Sequence, residues 1–210
     1  MRIKHRLGEN SIKLYNKQGS GLRVETTIND AAGFKSFRTP EGKPDAKKAW
    51  HRMRKGIADP RRRAETSQAA NNRYLKALAS VEDSTSLGEL TARPCQPVRR
   101  DGRRARPLNP HAPDDAKPLD AISRGEFTIN GFRNRDPREL LFDDADASPE
   151  DIRRHAAAVS RKLAVLRMHR LIRKVTSTHR YHLTVHGRIV VTALMTAKNA
   201  SPEALTKLAA

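Results

Sequence analysis

The chain has 210 residues, with 42 lysines and arginines against 23 aspartates and glutamates, a formal net charge of +19. Only 37% of residues are hydrophobic and 4% aromatic, which excludes one large core and favours small helical units joined by solvated loops. The single cysteine excludes an internal disulfide and a multi-cysteine zinc site, and no apolar run reaches membrane-spanning length.

Residues 11 to 29 read as a β-hairpin. Ser11-Ile12-Lys13-Leu14-Tyr15 and Leu22-Arg23-Val24-Glu25-Thr26-Thr27-Ile28 alternate apolar with polar side chains, and Gly19-Ser20-Gly21 supplies the turn. Phe34 to Arg38 adds a short third strand. Pro44-Asp45 opens a helical stretch through Trp50 and Met53 that stops at Gly56, with Trp50 read as the anchor of a small core, the alternative being a ring that stacks on a nucleic-acid base. Asp59-Pro60 is an N-cap and N1 pair for a helix running to about Glu82, whose apolar residues are Tyr74, Leu75, Leu78 and Val81.

Residues 84 to 113 read as a linker rich in proline, with Cys95 an incidental thiol inside it. Arg99, Arg100, Arg103, Arg104 and Arg106, with Asp101 and Gly102 among them, form a basic run. It serves either as a solvated linker or as an arm that contacts DNA.

From Asp114 onward the punctuation is clearer. Asp115 to Arg124 forms a short helix stopping at Gly125, with Pro118 confined to its first turn. Phe127-Thr128-Ile129 reads as a short strand or extended link. Asp136-Pro137 caps a second helix through Phe142, and Asp143 to Ala147 is an acidic loop. Ser148 caps a third helix, with Asp151 at the reciprocal capping-box position.

Ile152, Ala156, Val159, Leu163 and Leu166 then recur at spacings of four, three, four and three, one continuous apolar stripe. Arg153, Arg154, Ser160, Arg161 and Lys162 lie off that stripe. Leu171 to Val175 and Arg180 to Thr184 read as a two-stranded ribbon about a turn at Thr176–His179, and a last helix runs from Val185 to about Lys198. Ser201-Pro202-Glu203 starts one more short helix.

This order predicts an α+β, mainly α protein: an N-terminal hairpin with helices (1–83), a linker (84–113) and a winged helix-turn-helix (114–210). The third helix enters the major groove of double-stranded DNA with its basic face, Arg167 included, while Arg173, Lys174, His179 and Arg180 on the ribbon meet flanking phosphates.

Leu166-Arg167-Met168-His169-Arg170-Leu171-Ile172-Arg173, followed by Tyr181-His182-Leu183-Thr184-Val185-His186-Gly187-Arg188, resembles the recognition-helix end, wing and last helix of MarR-like and ArsR-like regulators. Arg170 departs from the glycine usual there. In a left-handed cap, arginine costs about 1 kcal/mol, unless it is a phosphate contact. Ile12 to Ser20 with Leu22 to Asn29 resembles longer bacterial proteins of uncharacterised activity, and that resemblance implies the C-terminal part of a longer protein. The Tyr-x-Lys and Leu-Arg-x-Glu strands also resemble pieces of rolling-circle replication initiators, without the His-apolar-His metal motif those enzymes need.

His179, His182 and His186 do not read as a metal site: His179 and His182 point to opposite faces of a strand, with no carboxylate or cysteine near. Tyr15 with Arg23 and Glu25 offers a catalytic remnant as one reading, but alternation puts Arg23 and Glu25 on one strand face, where they or a cross-strand Lys13 form ordinary ion pairs, and the structural reading is preferred. No phosphate loop, nucleophile elbow or carboxylate pair appears, so neither catalysis nor a cofactor is expected. The expected function is DNA binding, as a regulator or mobile-element accessory factor in the cytoplasm. The alternatives are a truncated portion of a replication or transposition enzyme and a general RNA-binding basic protein. Few aromatics speak against the last.

Overall fold

The computed structural model describes residues 2–17, 19, 21–79 and 85–201 of an α+β chain. It divides into two compact units. The first comprises Met1–Leu75 and Gly125–Asn130, the second Lys76–Arg124 and Gly131–Ala210. This division departs from the boundaries expected at residues 83 and 113.

In the first unit, β1 (Arg2–Leu7), β2 (Asn10–Asn16) and β3 (Leu22–Thr27) form an antiparallel sheet in that order. The register aligns Ile3, Leu14 and Val24 in one row and His5, Ile12 and Thr26 in the next, so one sheet face is apolar. The hairpin expected from alternation is β2–β3, and Ser20 of its turn lies outside the described residues. The covering layer includes α1 (Pro60–Ala79) and the short α4 (Phe127–Asn130), and the division between units falls within α1. Ile12, Leu14, Phe34, Met53, Tyr74 and Ile129 make the core.

Polar groups lock these layers together. Asn71 accepts from the Thr26 hydroxyl at 2.7 Å, and the Tyr74 hydroxyl lies 3.2 Å from His5 Nε2. Arg73 donates to the carbonyls of Thr128 and Ile129, satisfying helix-end acceptors of α4 that would otherwise lack partners.

Several expectations for this unit are corrected. Phe34 to Arg38 contains a strand, β4 (Lys35–Arg38), but it pairs with β5 (Ala49–Arg52), not with the hairpin. The stretch through Trp50 is therefore strand and not helix, because Phe37 supplies a cross-strand aromatic partner. Trp50 is 55% exposed and anchors no core. Phe127–Ile129 is helical, and all three residues are buried around one turn. α1 does begin at Pro60 with Asp59 at the N-cap position, its carbonyl accepting from the Arg63 amide at 2.9 Å, but Asp59 has φ +57 and its carboxylate is taken by Arg54. The buried face of α1 is Thr66, Ala70 and Tyr74, leaving Leu75 and Leu78 exposed; Val81 and Glu82 lie outside the described residues.

In the second unit the expected linker is folded. Ser86 and Glu89 form a reciprocal capping box on α2 (Leu87–Ala92). The arginine run makes a ribbon of β6 (Val98–Arg100) and β7 (Arg103–Ala105). Asp101 and Gly102, with φ of +51° and +71°, close it in a two-residue turn whose positive angles match strand twist. Ala105 and Leu108 are buried, and the Leu108 amide donates to Pro94 O. Burial of these apolar groups is why the segment does not behave as a linker.

The helices α3 (Pro113–Ser123), α5 (Arg135–Leu141), α6 (Pro149–Met168) and α7 (Val185–Asn199), with β8 (Ile172–Lys174) and β9 (Tyr181–Leu183), complete the unit. α3 starts at Pro113, so Pro118 sits in its second turn and not its first. α5 has no side-chain cap; the Asp136 carboxylate instead accepts from the Arg133 amide at 2.6 Å. Ser148 caps α6 through the Asp151 amide, as expected.

Val159, Leu163 and Leu166 are buried and Ile152 and Ala156 partly so, which sets the face α6 turns inward. Asp144 of the acidic loop joins α5 to α6 through Arg138 at 2.6 Å and His155 at 2.7 Å. The bond from His155 holds the Asp144 carboxyl below its usual value; burial opposes this and Arg138 adds to it. Phe132 bridges antiparallel to Tyr181 beside the β8–β9 ribbon. Pro202 and Glu203 lie outside the described residues.

Candidate nucleic-acid interface

α6 ends in a left-handed cap. Arg170 has φ +58, its amide donates to Arg167 O and the Leu171 amide donates to Leu166 O, a Schellman arrangement with Leu166 and Leu171 both buried. The chain then enters β8. Gly187, in the first turn of α7, lies so close to the Leu171 backbone that a Cβ there would overlap its carbonyl. These two features fix the junction between α6, β8 and α7.

On the outer face of α6, Arg153, Arg161 and Arg167 are exposed and have no ion-pair partner among the described residues. Arg154 is exposed but paired with Asp151 at 2.7 Å. Ser160 and Lys162, expected on the same face, are committed elsewhere. The Asn134 amide donates to Ser160 Oγ and to Ala156 O, each at 2.9 Å, pinning α5 to α6. Lys162 donates to Asp114 O at 2.8 Å, because the face one helical position past Arg161 already turns toward α3.

The β8–β9 ribbon exposes Arg173, Lys174 and His179 and half-buries Arg180. Arg173 lies opposite His182, and Lys174 opposite Tyr181. His186 is exposed on α7, and among the described residues no group of three His, Cys, Asp or Glu side chains is placed to hold a metal.

Both ribbons border α6, since β6 and β8 each pack beside it. Arg99 faces Arg104 and Arg100 faces Arg103 across β6–β7, all exposed. Like charges in directly opposed positions repel, a cost that an approaching polyanion relieves. Arg106 is different. Its guanidinium binds both Asp115 oxygens at 2.5 and 2.7 Å, so it serves the fold, whereas Arg100 makes only an exposed ion pair with Asp101 at 3.7 Å. Burial would raise the Asp115 carboxyl, but Arg106 and the Asn109 amide outweigh it and hold the group below its usual value. His169 Nε2, 2.8 Å from Arg106 O, fastens the same root of the ribbon to the end of α6.

A further basic surface belongs to the first unit. On the open face of its sheet Arg2, Lys4, Arg6 and Lys13 have no ion-pair partner among the described residues, and Lys4 lies directly opposite Lys13. Burial lowers the Lys4 ammonium, and Arg6, Lys13 and Arg2 lower it further. The nearby Glu25 is taken by Arg23 at 2.8 Å and by the Tyr15 hydroxyl at 2.9 Å. The period-two pattern Arg2-Ile3-Lys4-His5-Arg6-Leu7 carried the signal for this strand.

No protein family, curated protein or solved structure matches the chain. Among the described residues no helix is long and apolar enough to cross a membrane.

Proposed function

We propose that the second unit is a winged helix and that the chain binds duplex DNA, with α6 as the element that enters the major groove. One observation carries this reading: Arg153, Arg161 and Arg167 stand exposed and unneutralised on one side of a helix whose other side is buried. The order of elements supports it. α3, the Phe132 bridge, α5, α6, the β8–β9 ribbon and α7 follow one another as helix, short strand, helix, recognition helix, wing and closing helix. The β6–β7 ribbon adds Arg99, Arg100, Arg103 and Arg104 beside α6, a second arm for flanking phosphates.

A binding role without catalysis fits Tyr15. Its hydrogen bond to Glu25 raises the phenol above its usual range, with burial acting in the same direction, so the nucleophilic phenolate is disfavoured. The test is fluorescence anisotropy with a labelled duplex over a salt series. Binding must weaken linearly with log salt, and Arg153→Ala with Arg161→Ala must flatten that slope. Parent-like binding by a folded double variant removes α6 from the interface.

A further inference from the structure

The β4–β5 hairpin displays an aromatic pair that no core requires. Phe37 and Trp50 are direct cross-strand partners with ring centroids 5.4 Å apart and planes tilted by 54°. Each is 55% exposed. The hairpin's opposite face is the one held against the protein, since Ser36 is buried and His51 half-buried. Side chains two residues along a strand share a face, so Lys35 and its partner Arg52 form the row next to the rings on the exposed side.

Arg62 of α1 completes the arrangement. Its guanidinium carbon lies 5.3 Å from the Trp50 ring centre. The group is fixed in place, its Nε donating to Lys35 O at 2.8 Å and its Nη1 to Glu65 at 3.2 Å.

We propose that this face is a stacking platform for the bases of an unpaired nucleic-acid strand. The exposed parts of the rings offer stacking, and Lys35 with Arg52, paired in the next row, offers charge to a phosphate at one end of the aromatic pair. Duplex bases have their faces occupied by neighbouring pairs, so only an unpaired strand uses the rings. The exposed face of the two strands bears no carboxylate, which matches a polyanion and not a basic peptide. The site lies in the first unit and does not depend on how α6 binds a duplex.

Trp50 is the only tryptophan in the chain, so its fluorescence reports this site alone. The full-length protein is titrated with single-stranded oligo(dT), with oligo(U) and with a blunt duplex of equal length. Stacking quenches Trp50 with oligo(dT), oligo(U) or both, and the stronger of the two identifies the strand chemistry. Phe37→Ala weakens single-strand binding by about 5- to 150-fold while duplex binding stays at the parent value. Phe37→Leu, which keeps an apolar cross-strand partner but no ring, shows the same loss with an unchanged circular dichroism spectrum. Quenching by neither strand, or parent-like strand affinity in folded Phe37→Ala and Phe37→Leu, overturns the proposal.

Discussion

Lys162 donates its ammonium to the carbonyl of Asp114, the one that Pro118 leaves without a helical partner. In an α-helix the amide of residue 118 would donate to the carbonyl of residue 114, and proline has no amide to give. A lysine on α6 therefore repairs a gap in α3 and joins the two helices.

That relationship predicts energetic coupling. Lys162→Ala should cost about 1 kcal/mol in the parent, the net worth of one hydrogen bond. In a Pro118→Ala background the restored amide satisfies Asp114, and the same substitution should cost close to nothing. A urea-denaturation double-mutant cycle reads the difference, and additive effects would refute the link.

The face of α6 proposed to bind DNA and the residue that repairs α3 should separate cleanly. Arg153→Ala, Arg161→Ala and Arg167→Ala should each leave stability within about 0.5 kcal/mol and lower the DNA salt slope by about one unit. Lys162→Ala should leave the slope unchanged. Leu163→Ala, on the buried stripe, should lose about 2–5 kcal/mol of stability. Melting curves paired with the anisotropy series decide the order.

Arg170 sits at a left-handed cap where glycine is free of strain. Arg170→Gly should stabilise the second unit by about 1 kcal/mol, seen as a rise in Tm. Should that variant also lose DNA affinity, the arginine is retained for phosphate contact. Gly187→Ala should act in the opposite sense, costing about 3 kcal/mol or more, because the new methyl group meets the Leu171 backbone.

Acid should weaken the second unit through Asp115. The folded carboxyl is held below its unfolded value, so its contribution to stability is present above the unfolded value and is lost as pH falls through the folded one. Stability should decline below about pH 4. Asp115→Asn should be less stable at neutral pH and should show a flatter acid limb in pH-dependent chemical denaturation.

Elements built on local periodicity were legible in the chain. The stripe and Ser148 cap of α6, the alternation of β2 and β3, and the ribbon of β8 and β9 all rest on residues within a few positions of one another. Where a distant partner decides, local reading failed. Trp50 in β5 needs Phe37, and the aromatic pair overrides the helix suggested by Pro44-Asp45. Arg106 reads as one more free charge until Asp115 folds against it. Asp101-Gly102 did carry a hairpin signal, but five arginines and neighbouring prolines resemble a solvated run, and only the burial of Ala105 and Leu108 distinguishes the two.

The rooting of the β6–β7 ribbon bears on the thermodynamics of whatever it meets. A disordered basic tail loses conformational entropy when it binds, and that loss subtracts from affinity. Here Arg106, Asp115 and His169 have ordered the base of the ribbon during folding. Its four outer arginines arrive as a rigid grid and not as a diffuse cloud of charge. Calorimetry should therefore find only a small heat-capacity change on association, and polyanions should be discriminated by phosphate spacing as well as by charge density.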